Sequence, residues 1–339
     1  MQEPQKNISL KTLNTFGIDV SAELFSSFNT EAELKNLIEL NKNEKKEVLI
    51  LGGGSNILFT KNPEQWVWQN CIKGIEVISD ASNEVLLKVG AGENWHNFVL
   101  YCVDKNWGGI ENLSLIPGCV GAGPMQNIGA YGAELKDTCH AVECIERKTG
   151  QSKTFTAQEC EFGYRESIFK QKVKDQYVIS YVYFKLSKNA SVNTQYGSIQ
   201  QELDAMKITE PTLKDVSNAV INIRQSKLPN PTELGNAGSF FKNPIVSQVK
   251  FNSIKEKFPQ IISYPAANGN VKLAAGWLIE QCGLKGYRQN NVGIHSKQAL
   301  VIVNYGNSKG SEIWELSEKV IQTVKEMFDV DLEREVNIY

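Results

Sequence analysis

Between residues 30 and about 45, Leu34, Leu37, Ile38 and Leu40 recur at helical spacing behind Thr30 and Glu33. A threonine followed three residues later by glutamate is a capping box, so the stretch predicts an amphipathic helix. The apolar run Val48–Leu51 reads as a strand; Gly52, Gly53 and Gly54 form a flexible turn, and residues 57–59 a second apolar run. Further on, "VECIERKTG", "SKTFTA" and "QYVISYVYFKL" are short β-rich pieces separated by turn residues, which predicts strands of a mixed or antiparallel sheet. Pro229 and Pro231 push the residues before them out of helix and place a boundary near Leu228. Beyond it, Leu273, Trp277, Leu278 and Gln281 share helical spacing with Gly283 as C-cap, and "QALVIVN" is a buried strand. Residues 311 to 328 predict a long helix with Ile313, Leu316, Val320, Val324 and Met327 on its apolar stripe. The closing "VDLEREVNIY" predicts a strand whose alternation turns Glu333 and Glu335 to one face.

With 339 residues, 41% of them hydrophobic, the chain exceeds what one core supports, and two or three domains are expected. A formal net charge of −2 with no run of like charges argues against a polyanionic partner such as nucleic acid. The N-terminal "MQEPQKNISL" has no basic region followed by an apolar one, and the apolar runs are short, so a cytoplasmic protein with no membrane insertion is expected. Seven cysteines without a C-x-x-C pair read as reduced thiols, most of them small core residues, and predict no metal site.

Five places carry candidate chemistry. The glycines Gly52, Gly53 and Gly54, followed by Ser55 and Asn56, lead from strand to strand without G-x-G-x-x-G spacing, so a dinucleotide-binding βαβ unit is excluded. The turn either presents backbone N–H groups to a phosphate or closes a tight hairpin. From Pro117 to Gly132 there are five glycines in 16 residues, against 26 in 339 for the whole chain. So much backbone freedom is costly to order unless a ligand demands it, and the remaining Gln126, Asn127 and Tyr131 suit a long, uncharged, ring-bearing ligand; a structural turn is the alternative. Arg165 in "CEFGYRES" reads equally as a core ion-pair member or an anion clamp. Ser239 in "GNAGSFFKNP" stands outside a G-x-S-x-G elbow, and the chain has three histidines in all, which weakens a hydrolase reading. The pair Glu333 and Glu335 is either solvated or catalytic.

Taken in order, "NTFGID", "LGGGSN", "GAGENWH", "IPGCVGAGPMQNIGAYG", "FGYRESIFK", "GNAGSFFKNP", "KLAAGWLIEQCGLKG" and "LEREV" resemble the UDP-N-acetylmuramate dehydrogenases, also called UDP-N-acetylenolpyruvoylglucosamine reductases. The resemblance runs nearly the whole chain. Tyr196 in "TQYGSI" and the stretch from "QCGLKG" to "HSKQALV" resemble the longer of the family's two forms. One departure is Asn337, where family members often carry arginine.

The resemblance implies an α+β protein with a vanillyl-alcohol-oxidase-type FAD-binding fold of two subdomains, residues 1–72 and 73–228, and an α/β substrate-binding domain, 229–335, with 336–339 returning to the first. It implies non-covalent FAD, NADPH as co-substrate, a UDP-sugar enolpyruvyl ether as substrate, and a monomer. Gly52, Gly53, Gly54, Ser55, Asn56, Pro117, Gly118, Gly121, Ala122, Gln126, Asn127, Gly129, Tyr131 and Gly132 become the cofactor cradle. By the same resemblance, Arg165 and Glu335 are expected to stabilise the charge that follows hydride transfer, and Ser239 to donate the proton. Tyr196, Lys227, Asn243, Tyr264, Lys285 and Gln298 are carried over as substrate contacts. Another flavin oxidoreductase of the same fold, or an inactive nucleotide-binding module, would keep the glycine loops. The first is opposed by "GNAGSFF" and "LEREV", the second by the presence together of Arg165, Ser239 and Glu335.

Overall fold

A computed structural model describes residues 3–339. The chain packs as two compact units, and both draw on separated segments: the first on residues up to Ile8, Ala22–Gly53 and Glu64–Ser226, the second on Ser9–Ser21, Gly54–Pro63 and Lys227–Tyr339.

In the first unit the strands Ser21–Phe28, Trp66–Asn70 and Val48–Leu51 lie side by side in that order, all parallel, with Gln5–Ser9 on the outer edge of the first. The helix Glu31–Glu44 is the crossover between Ser21–Phe28 and Val48–Leu51. Thr30 is the N-cap as expected, its Oγ accepting the Glu33 N–H at 3.1 Å, but the capping box is not reciprocal: the Glu33 carboxylate accepts at 2.6 Å from the Asn29 N–H, one residue before the cap. Leu34, Leu37 and Ile38 bury against Phe28, Val48, Trp66 and Trp68.

The second sheet of this unit is antiparallel, ordered Ser152–Thr156, Cys139–Glu146, Tyr177–Ser187, Glu84–Gly90 and Ile75–Asp80. Alternation along Glu84–Gly90 turns Val85, Leu87 and Val89 inward onto Trp95 and Phe98 of the helix Trp95–Asp104. Two further helices, Gly197–Ala205 and Leu213–Lys227, bury Ile199 and Leu203 against Val216, Ala219, Val220 and Ile223.

The second unit is built on the antiparallel strands Gly235–Ser239, Val301–Asn304, Val292–Ile294 and Arg288–Gln289, with the helix Gly310–Phe328 and a small sheet of Ile245–Val246, Val271–Leu273 and Ser263–Pro265. Its earlier segments are structural members. Asn236 N–H donates to Thr15 O at 3.0 Å, Asn304 Nδ2 donates to Phe16 O at 2.8 Å, and Asn337–Ile338 pairs in parallel with Ile57–Leu58.

Several expectations are corrected. Leu273 ends a strand and the helix after it is Ala275–Gln281, because the Leu273 N–H is taken by Pro244 O. Met327 is 44% exposed and Phe328 takes the last buried place of the long helix, since 3.6-residue periodicity drifts from Val324 to Phe328. The chain end is no continuous strand: a bridge at Arg334 to Phe241 and the pair Asn337–Ile338 are separated by a bend at Val336. Glu333 is exposed and paired with Lys242 at 2.5 Å, so it does not share the role given to Glu335. Four of the seven cysteines, Cys102, Cys139, Cys144 and Cys160, are buried, and all seven are free thiols. Among the described residues no helix is long and apolar enough to cross a membrane.

Candidate functional site

The strands on either side of the first glycine turn do not pair with each other. Val48–Leu51 belongs to the parallel sheet of the first unit and Ile57–Leu58 to the second unit, so the hairpin alternative fails and the turn serves something else. In the first unit Gly53 lies against the second glycine-rich loop: a Cβ there would stand 3.0 Å from Gly118 Cα and 3.4 Å from Cys119 Sγ. A side chain at Gly53 would press on the Gly118 backbone, and Gly118 itself takes a φ of 109°, which favours glycine there as well. In the second unit the Thr15 N–H donates to Gly54 O at 3.0 Å, and Asn56 Nδ2 donates to Glu335 O at 3.3 Å. Asn337 donates both its backbone N–H, at 3.1 Å, and its side-chain amide, at 3.0 Å, to Asn56 O. Asn337 thus holds the turn through both of its amides.

The loop from Leu115 to Gly132 is strained. Leu115, Asn127 and Tyr131 take positive φ of 58°, 45° and 50°, and Arg165, which reaches it, takes 56°. Such conformations cost of order 1 kcal/mol each for ordinary residues and persist where surroundings impose them. The Leu115 N–H donates to His96 Nδ1 at 2.9 Å, and Arg224 Nε donates to Leu115 O at 3.2 Å. Arg224 also hydrogen-bonds the Tyr131 hydroxyl, and Asn112 Nδ2 donates to Tyr131 O at 2.9 Å. Burial and then the Arg224 charge lower the His96 pKa, leaving Nδ1 free of a proton to accept from Leu115. Burial likewise raises the Tyr131 hydroxyl.

The fully buried Asn127 uses its amide inside the fold: Nδ2 donates to Glu134 Oε2 and Gly163 O, both at 3.0 Å, and Oδ1 accepts from the Lys136 N–H. Gly121 fits tightly on Ala91, Pro117 is exposed, and Gln126 and Arg165 are half-buried. Arg165 donates to Gly129 O at 3.0 Å, which joins it to the loop as a neighbour of the glycines. Tyr196 stands edge-on to Tyr131 with centroids 5.4 Å apart.

In the second unit Ser239 ends the strand Gly235–Ser239, opposite Val301. Phe240 and Phe241, both fully buried, anchor the chain immediately after it. The Phe240 N–H donates to Leu300 O and Phe240 O accepts the Glu335 N–H, both at 2.8 Å, so the serine and Glu335 sit on adjoining backbone. Gln298 Oε1 accepts the Leu300 N–H at 3.3 Å and would contact a Cβ on Gly276, while Asn243 Oδ1 accepts the Ala275 N–H at 2.9 Å. Gln298, Asn243, Ser239 and Glu335 therefore form one linked neighbourhood. Lys285 pairs with Glu280 at 2.9 Å, Tyr264 is 41% exposed on the small sheet, and Lys227 is exposed at the start of the unit's last segment. Arg165 and Tyr196 belong to the first unit.

His96, Asn112 and Arg224 went unnoticed in the sequence. Arg224 carried a signal: it falls on the same helical stripe as Leu213, Val216, Ser217 and Val220, where an arginine is out of place without a function.

Residues 22–156 match the family model of the FAD binding domain, and residues 230–339 that of the UDP-N-acetylenolpyruvoylglucosamine reductase C-terminal domain. The chain is 54% identical over 337 residues to the UDP-N-acetylenolpyruvoylglucosamine reductase of Flavobacterium johnsoniae, covering 99% of both chains. It is 50% identical to that of Amoebophilus asiaticus, covering 98% of both. The crystal structure of UDP-N-acetylenolpyruvylglucosamine reductase from Thermus caldophilus superposes with a TM-score of 0.68 over 100% of both chains at 22% identity, a likeness of fold.

Proposed function

Because the chain belongs to the UDP-N-acetylenolpyruvoylglucosamine reductases, FAD-dependent oxidoreductases of peptidoglycan precursor synthesis with a vanillyl-alcohol-oxidase-type fold, we propose that it uses NADPH to reduce UDP-N-acetylglucosamine enolpyruvate to UDP-N-acetylmuramate, with Ser239 supplying the proton. The residues present suit FAD. Gly53 and Gly118 leave a close backbone contact that any Cβ would fill, and the loop from Pro117 to Gly132 that continues from it is rich in neutral backbone and amide groups. When bound, FAD supplies the hydride carrier between NADPH and the substrate.

The chain's own residues manage charge. Reducing the enolpyruvyl double bond adds hydride to its terminal carbon and leaves negative charge on the carbon beside the carboxylate, which then needs a proton. Arg165 offers a permanent planar cation for the carboxylate, Glu335 assists, and Ser239 gives its hydroxyl proton to the carbon. A hydroxyl with no histidine beside it is a poor nucleophile but an adequate acid towards so basic a carbon. The observation that supports this most is the Phe240 junction: Phe240 O accepts the Glu335 N–H at 2.8 Å, so the backbone of Glu335 adjoins the residue that follows Ser239. Tyr196, Lys227, Asn243, Tyr264, Lys285 and Gln298 are proposed as contacts to the sugar nucleotide.

In this reading residues 1–72 and 73–228 hold FAD, 229–335 take the substrate, and 336–339 return to the first part, in a monomeric cytoplasmic enzyme. The test is NADPH consumption with and without the enolpyruvyl sugar nucleotide, with product mass followed in parallel. Consumption should depend on that substrate and yield a product heavier by two hydrogens. NADPH oxidation that ignores the sugar nucleotide would contradict the proposal.

A further inference from the structure

Arg224 is a cation among neutral groups. It lies near the end of the helix Leu213–Lys227, half-buried, deep enough that desolvation lowers its pKa. The groups that face it are the Leu115 carbonyl, the Tyr131 hydroxyl and His96, itself biased towards the neutral form. No carboxylate among the described residues pairs with it, whereas Arg147 has Asp175 at 3.8 Å and Arg334 has Glu318 at 2.6 Å. A desolvated charge without a counter-charge is costly, and an anion arriving from outside the chain would relieve that cost.

Its position indicates which anion. Both hydrogen-bond partners, Leu115 and Tyr131, are left-handed residues of the glycine-rich loop that meets Gly53 at Gly118. The guanidinium thus bonds the backbone of one strained residue and the side chain of the other, which holds it at the loop. Resting on the cofactor assignment above, we propose that Arg224 is the anion-receiving residue of the FAD cradle, pairing with negative charge that the cofactor brings. Two parts of FAD offer such charge: the diphosphate, charged in both redox states, and the ring system, which gains one negative charge when two electrons and one proton enter it.

The test compares wild type, Arg224→Lys and Arg224→Gln. Circular dichroism and thermal melting establish that each apoprotein folds; FAD binding is followed by flavin fluorescence, and the midpoint potential by spectroelectrochemistry. Arg224→Gln should bind FAD at least tenfold more weakly in one redox state or both, and Arg224→Lys should recover most of the loss. Equal weakening in both states with an unchanged potential assigns the diphosphate. Selective weakening of the reduced state assigns the ring, with the potential falling by about 30 mV for each tenfold, the value for a two-electron couple.

If Arg224→Gln does not fold, phenylglyoxal modification of the wild-type apoprotein, read by mass spectrometry, serves instead: FAD should slow reaction at Arg224 far more than at Arg288. A folded Arg224→Gln that keeps wild-type affinity and potential would overturn the proposal and leave Arg224 as a strut between helix and loop, as would equal labelling with and without FAD. Wild type that takes up no FAD would instead count against the cofactor assignment.

Discussion

At the scale of single residues, the glycine-rich loop is held by groups whose protonation matters. The Leu115 N–H donates to His96 Nδ1, and protonating that nitrogen destroys the acceptor. Because the folded state lowers the His96 pKa below 6.5, the unfolded chain takes the proton first as pH falls. The stabilisation is therefore complete above about pH 6.5 and declines as pH drops below it. Thermal melting across this range should show a steeper acid-side loss in wild type than in His96→Asn, which keeps an acceptor that does not titrate; parallel curves would contradict this.

Legibility at this scale depended on whether a residue's role shows in its own neighbourhood of sequence. Ser239 did, being set between Gly238 and two phenylalanines that prove fully buried. Arg224 showed only as an arginine on an apolar stripe. His96 gave no sign, because its partner, the Leu115 N–H, lies 19 residues away and is presented by a left-handed leucine that no propensity foretells.

At the scale of elements, periodicity located most helices and strands, and the errors have physical causes. Leu273 matched a helical stripe, but pairing with Ser263 recruited it to a strand. The two strands around Gly52, Gly53 and Gly54 look like a hairpin until their partners are known, since parallel pairing leaves no local mark.

One close contact tests how elements are fitted together. Gly310, the first residue of the helix Gly310–Phe328, rests on the backbone of Phe59, and a Cβ there would stand 1.7 Å from the Phe59 carbonyl oxygen. Helix propensity alone would make Gly310→Ala stabilising by up to about 1 kcal/mol. Overpacking against backbone costs typically about 1–3 kcal/mol and should win. The urea midpoint should fall, with the far-ultraviolet spectrum retained; a midpoint at or above wild type would contradict the contact.

At the scale of the molecule, the interleaving of segments was not legible. The prolines at 229 and 231 mark one boundary near Leu228, whereas the chain passes between the two compact units several times. That residues 9–21 and 54–63 belong to the second unit depends on long-range hydrogen bonds such as Asn304 to Phe16 and on the pairing of Asn337–Ile338 with Ile57–Leu58. Residues 227–339 expressed alone should therefore fail to fold cooperatively, whereas joining the two earlier segments to them should restore a sigmoidal melt; cooperative melting of the bare fragment would contradict this.

The family and its cofactor were legible because eight short motifs keep their order along the whole chain. The division of the proposed catalytic set was not, with Arg165 in the first unit and Ser239 and Glu335 in the second. Proton donation by the Ser239 hydroxyl is the step on which the proposed chemistry turns, a contribution of about 10² to 10⁴ in rate for general acid catalysis. It is tested most directly by rapid-mixing absorbance on Ser239→Ala. NADPH should bleach the flavin at the wild-type rate, while re-oxidation by the enolpyruvyl sugar nucleotide slows by that factor. Equal slowing of both half-reactions, or re-oxidation at the wild-type rate, would contradict it.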